Sequence, residues 1–158
     1  MGQLLSGQID KNFTDPNKSL ACEPGSSLIV TGCGTVGLSA IMAGKIQGCE
    51  SIIAIEPVEA RRKLALELGA THVIDPIEHE DFEEAVRKIV PAGVDYAVDT
   101  TGRPDTLQNL TRCFTTQGTL AVVGMPKSLD DDVSFSGCLL YTSPSPRDQR
   151  GSRMPSSA

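Results

Sequence analysis

From about Ala21 to Gly137 the chain alternates between two hydrophobic rhythms. Short continuous apolar runs alternate with longer stretches whose apolar residues recur every three or four positions. The run SLIVTG (27–32) reads as a buried strand and leads into a helix over about 35–47, with Val36, Ala40, Ile41 and Gly44 on one face. SIIAIE (51–56) is apolar throughout, as a parallel strand covered on both sides must be. Pro57 suits the start of a second helix whose inner side is Val58, Leu64 and Leu68, closed by Gly69. THVID (71–75) is a short third strand, followed by EDFEEAVRKIV with Phe82, Val86, Ile89 and Val90 at helical spacing. VDYAVDT (94–100) is a fourth strand and PDTLQNLTRCF a helix with Leu107, Leu110 and Phe114 inward. TLAVVGM (119–125) is a fifth strand. Strict strand–helix alternation with right-handed crossovers predicts an α/β fold, a doubly wound parallel sheet of the Rossmann kind.

The flanks differ from this middle zone. Residues 1–20 are polar, irregular and interrupted by Pro16, and read as a lead-in. Residues 138–158 are rich in Ser, Pro and Arg and lack apolar residues after Tyr141 apart from Met154 and Ala158. Such a segment buries too little surface to order itself, and is expected to be a disordered, non-native tail. The predicted dinucleotide-binding domain is therefore 21–137.

Composition narrows the class without changing it. Of the 158 residues, 39% are hydrophobic and 22% charged, as in ordinary globular domains. A net charge of −6, spread along the chain, leaves no basic footprint for nucleic acid. The apolar runs are too short to span a bilayer and no secretory leader is visible, so a cytoplasmic protein is expected. The five cysteines (Cys22, Cys33, Cys49, Cys113, Cys138) contain no C-x-x-C pair and suggest neither zinc knuckle nor disulfide framework.

Between the first strand and first helix lies VTGCGTVG, with Gly32, Gly34 and Gly37 spaced G-x-G-x-x-G. Gly32 permits the tight turn, Gly34 lets backbone approach a pyrophosphate, and Gly37 lets helix and sheet pack closely. The N–H groups of Thr35, Val36 and Gly37 then face the phosphates at the positive helix end. Glycines at this spacing also mark turns that bind nothing. Context separates the two readings: Glu56 follows Gly37 by 19 positions, at the end of strand two, where a carboxylate accepts hydrogen bonds from an adenosine ribose. Such a carboxylate repels a 2′-phosphate, which favours NAD over NADP. Arg61 and Arg62 either offset part of that repulsion or form a solvated helix face.

Three segments carry a family resemblance: EPGSSLIVTGCGTVGLSAIMAGKIQG, IIAIEPVEARRKLALELGATHVID and GVDYAVDTTGRPDTLQNLTRCFTTQGTLAVVGMP. Over about residues 20–137 the chain resembles the cofactor domain of zinc-type medium-chain alcohol dehydrogenases, most of all their aryl-alcohol branch. That resemblance implies hydride transfer between NAD(P) and an alcohol or aldehyde at a catalytic zinc. It also implies that Arg61 lies at the adenosine edge and that Thr100, Thr101 and Gly102 line the adenosine and ribose. Val123, Gly124 and Met125 would lie along the nicotinamide. Family members carry zinc ligands on an N-terminal catalytic domain, and residues 1–20 show no counterpart. His72 and His79 have no partners at metal-ligand spacing, so no catalytic or metal residue is assigned in this chain. The resemblance implies the dinucleotide-binding portion of an oxidoreductase whose parent is a homo-oligomer, and a doubly wound sheet missing its last strand, with strand five left as an edge that recruits partners. Two other readings stand beside it: a binding module without turnover, and a methyltransferase, which also uses a glycine-rich first turn.

Overall fold

The structure, a computed structural model, describes residues 22–79 and 81–125. The lead-in at 1–20, the tail at 138–158 and any strand after Pro126 lie outside the described residues.

Five strands, β1 (Ser27–Thr31), β2 (Ser51–Ile55), β3 (His72–Ile74), β4 (Val94–Asp99) and β5 (Phe114–Val122), form one sheet ordered β3-β2-β1-β4-β5. All four pairings are parallel. The crossovers are α1 (Thr35–Gln47), α2 (Glu59–Leu68), α3 (Glu83–Ile89) and α4 (Pro104–Cys113). The order reverses direction between β1 and β4, so the carboxyl ends of these two strands flank the crevice in which doubly wound sheets bind ligands. The predicted Rossmann architecture is the one observed.

Period-two alternation sorts the strand residues into two cores. Leu28, Val30, Ile52, Ala54 and Val98 pack with Ile41 and Ala65 on the side of α1 and α2. Ile29, Ile53, Ile55 and Ala97 pack with Phe82, Val86 and Leu110 on the side of α3 and α4. Each central strand is thus apolar on both faces, which explains its continuous hydrophobic text. Gly44 sets the spacing of α1 from the sheet, because a Cβ there would lie 2.6 Å from Leu28 Cδ2.

Four details depart from the pattern-based reading. Val36, expected on the inner face of the first helix, is exposed, whereas Ala40, Ile41 and Gly44 are buried. It sits in the first turn of that helix. On α2, Val58 and Leu64 are exposed and the buried residue is Ala65. A small side chain at the contact lets the helix lie close to the sheet, turning its larger neighbours outward. Phe114 opens β5 instead of closing the preceding helix, and β5 ends at Val122. The extra strand length is absorbed by a register shift between the Val94–Phe114 and Tyr96–Thr119 pairs.

Candidate dinucleotide site

At the end of β1 the chain turns through Gly32, whose φ of +84° disfavours any side chain. A Cβ there would also lie 2.5 Å from Thr100 Oγ1. The turn is held from both sides. Gly32 N–H donates to the Ile55 carbonyl at 2.9 Å, and Thr100 Oγ1 donates to the Thr31 and Gly32 carbonyls at 2.8 and 3.1 Å. Gly37 has ordinary helical backbone, but its Cβ would run into the Gly32 carbonyl oxygen. Loop and helix therefore touch backbone to backbone.

Gly34 is the opposite case. Nothing lies within 4 Å of the position its Cβ would take, and it caps α1 without any side-chain hydrogen bond. No acidic residue occupies the first turn. The leading N–H groups of a helix have no intrahelical acceptor, and Thr35 and Val36 are exposed here. The cradle consists of open space above donors that have no acceptor among the described residues, at the positive end of a 13-residue helix. A diphosphate fits those requirements.

Glu56 is drawn into the same loop. Its side chain is only 3% exposed; Oε2 accepts from Cys33 N–H at 2.7 Å and Oε1 from Val58 N–H at 3.0 Å. A carboxylate has about four acceptor positions, so the hydrogen bonds among the described residues leave two for further donors. Arg61, largely exposed, approaches Oε1 at 3.8 Å. Arg62 turns away: its Nη1 pairs with Asp75 at 2.8 Å and donates to the Glu56 and Pro57 carbonyls. Of the two arginines, only Arg61 remains beside the Glu56 carboxylate. Burial pushes the Cys33 thiol up to about 11, with nearby Glu56 adding and Arg61 opposing, so Cys33 packs beneath the loop as a neutral thiol.

The residue that organises the second half of the site is one the sequence reading passed over. Asp99, fully buried at the end of β4, accepts from Thr31 Oγ1 at 2.6 Å and Thr101 Oγ1 at 2.7 Å. It also accepts from Thr101 N–H at 3.2 Å and Gly102 N–H at 2.8 Å. Its backbone carbonyl receives Val123 N–H and Gly124 N–H. One acid thus ties β1 to the turn after β4, and its own carbonyl ties that turn to the exit of β5. The signal was an acidic residue closing an apolar strand just before Thr-Thr-Gly.

The turns after β4 and β5 then meet backbone to backbone. A Cβ on Gly102 would strike the Met125 carbonyl, and one on Gly124 would strike Gly102 N. All the predicted cofactor residues lie at the carboxyl ends of β1, β2, β4 and β5 or on the elements that follow. Gly32–Gly37 with Glu56 form one group; Thr100, Thr101, Gly102, Val123, Gly124 and the exposed Met125 form another, joined to the first through Thr100 and Asp99. A depression of about 420 Å³ between β3 and α3, bounded by Arg62, Asp75, His79, Glu84 and Lys88, contains none of them. Among the described residues no three His, Cys, Asp or Glu side chains converge as metal ligands. None of their helices is long and apolar enough to cross a membrane.

The family model described as zinc-binding dehydrogenase matches residues 35–151. A probable alcohol dehydrogenase from a Pseudomonas species is 44% identical over 119 residues, covering 75% of this chain and 37% of that protein. Geraniol dehydrogenase of Castellaniella defragrans is 41% identical over 108 residues, covering 68% and 29%. The crystal structure of benzyl alcohol dehydrogenase from Acinetobacter calcoaceticus superposes with a TM-score of 0.71 at 39% identity, covering 77% of this chain and 33% of that one. The chain spans about a third of the length of these relatives.

Proposed function

We propose a function from one premise: the chain belongs to the zinc-binding dehydrogenase family. It is the nicotinamide-dinucleotide-binding portion of an oxidoreductase that moves hydride between NAD and an alcohol or aldehyde. The observation that carries this reading is the cradle at Gly34, open above the first turn of α1, with the Glu56 carboxylate hydrogen-bonded to the same loop.

Each residue has a physical task. The N–H groups of Thr35, Val36 and Gly37 hold the pyrophosphate, and Gly32 and Gly34 keep side chains out of its way. Glu56 accepts the ribose hydroxyls with its two remaining lone-pair positions, and Arg61 covers the adenosine edge. Thr100, Thr101 and Gly102 line the adenosine and ribose side. Val123, Gly124 and Met125 lie along the nicotinamide, which when bound supplies the hydride acceptor. Together these residues bind and orient the dinucleotide.

The preference for NAD rests on charge. A 2′-phosphate about 4 Å from the Glu56 carboxylate would cost roughly 1–4 kcal/mol per charge pair. Arg62, committed to Asp75 and two carbonyls, is not free to offset it.

Titration of the chain with NADH, NADPH and S-adenosylmethionine, followed by nicotinamide fluorescence and thermal shift, tests the reading. NADH binding at least 10-fold tighter than NADPH is expected. Binding of S-adenosylmethionine alone sinks it in favour of a methyltransferase. An alcohol-oxidation assay with added zinc then separates an active protein from the alternative, a module that binds NADH without turnover.

A further inference from the structure

The opposite end of the sheet, where strands begin, holds two cysteines to which the dinucleotide site gives no task. The segment before β1 runs beside the loop between α1 and β2, and four contacts pin them together. Cys22 N–H donates to Gln47 Oε1 at 3.1 Å, Gly25 N–H to the Gly48 carbonyl at 2.8 Å, and Glu50 N–H to the Ser26 carbonyl at 2.8 Å. Ser26 Oγ lies 3.7 Å from Cys49 Sγ. Cys22 belongs to the α1–α2 side of the core and Cys49 packs against that same cluster. Cys49 is near enough to help raise the Cys22 thiol, and both side chains pack in the same core cluster. Cys22 is buried, whereas Cys49 is partly open to solvent.

We propose that Cys22 and Cys49 are a site of reversible disulfide formation, with a small-molecule disulfide such as oxidised glutathione as oxidant. The partly exposed Cys49, as thiolate, attacks one sulfur of the oxidant; that S–S bond breaks and one small thiol leaves, taking up a proton. The Cys22 thiol then releases its proton to solvent while its sulfur attacks the Cys49 sulfur, expelling the second small thiol. Two protein thiols lose two electrons, and the oxidant gains them as two thiols.

The order of steps follows from the surroundings. Burial pushes the Cys22 thiol up to about 12, with Cys49 and Asp95 adding to it, so Cys22 serves as the resolving thiol. The bridge closes a loop from Cys22 to Cys49 that contains the whole glycine motif, and it constrains the unfolded chain most. The hydrogen bonds hold the two segments side by side and place both thiols in one core cluster at the same end of the sheet.

The 158-residue chain is equilibrated with reduced and oxidised glutathione at set ratios, quenched by acid and analysed by intact mass and peptide mapping. The expected result is a loss of two hydrogens, reversed by excess thiol, with Cys22 and Cys49 in one linked peptide. The unfolding temperature of the oxidised form should rise by about 5–10 °C. Cys33→Ser retains the bridge, whereas Cys22→Ser leaves Cys49 as a mixed disulfide. The mapping of the unsubstituted chain decides the matter even where a variant folds poorly. A Cys49 that stops at the glutathione adduct with Cys22 free, or a bridge that uses Cys33 or Cys113 instead, overturns the proposal.

Discussion

The carboxyl ends of β1 and β4 and the strand β5 belong to one sheet, yet they are built on different principles. At the first, Thr31 and Asp99 are wholly buried and their polar atoms are hydrogen-bonded. There Gly32 packs against the Thr100 side chain, and the turn after β4 meets the exit of β5 through backbone atoms, with no room for a methyl group at Gly32, Gly102 or Gly124. β5 is an edge among the described residues; most of its side chains are half-buried and its register shifts near the start. Rigidity is thus concentrated where a ligand must be met by fixed donors. A buried polar network tolerates no missing partner, because every group left unpaired keeps its full desolvation cost. A half-solvated edge has water as a substitute partner.

The contrast is broken most directly at Asp99. Asp99→Ala takes the buried acceptor from Gly102 N–H and leaves Thr31 Oγ1 only a long contact to the Val98 carbonyl at 3.5 Å, and should destabilise by about 3–5 kcal/mol in urea unfolding. A cost under 1 kcal/mol would mean the hub is not essential. Gly37→Ala comes next: its methyl must displace the Gly32 carbonyl, for about 3 kcal/mol and loss of NADH fluorescence enhancement.

A third measurement uses buried thiols from both regions. Cys33 under the loop is pushed up to about 11, and Cys113 at the entry to β5 to about 12, mainly by burial, against an ordinary value of 9.0. The folded values are raised, so this stability is complete below pH 9 and is lost as pH rises through 9 toward 11 or 12. Each thiol should contribute a slope of about 1.4 kcal/mol per pH unit in that window. Urea midpoints at several pH values check this, and Cys33→Ala and Cys113→Ala should each flatten the curve.

Gly34→Ala should change stability by less than 1 kcal/mol, because its Cβ meets nothing, yet weaken NADH binding about 10-fold by filling the cradle. Equal binding by isothermal titration would remove the cradle as a phosphate site. The smallest effect is expected on β5, where Val122→Lys should lie within about 0.5 kcal/mol and reduce any concentration-dependent association in sedimentation.

Much of this was legible in the sequence. The strands written as SLIVT, SIIAI and VDYAVD stand where their apolar runs put them, because a strand covered on both faces admits few polar residues. Gly32 and Gly37 announce tight backbone contact through residue type alone, and the structure supplies the atoms they avoid. The inner face of α2 was misread, since Ala65 carries the contact and Leu64 does not. Helical periodicity says which residues share a stripe, but how close the helix lies decides whether large or small side chains fill it. Phe114 was misplaced for a related reason: an aromatic residue at helical spacing fits the end of α4 and the start of β5 equally well, and the pairing with Val94 decides between them.

The sequence by itself determined the alternation of elements, the parallel sheet and the place of the glycine turn, because these follow from local periodicity and from backbone freedom at single residues. Tertiary structure alone decided what the polar residues do. Asp99 could have been a solvated acid, and Arg62 a free cation beside the ribose. Only the order β3-β2-β1-β4-β5 brings Thr31 against Asp99, and Asp75 against Arg62. A charge carries no sign of its partner in the text around it; partners far apart along the chain are chosen by the packing of the strands that hold them.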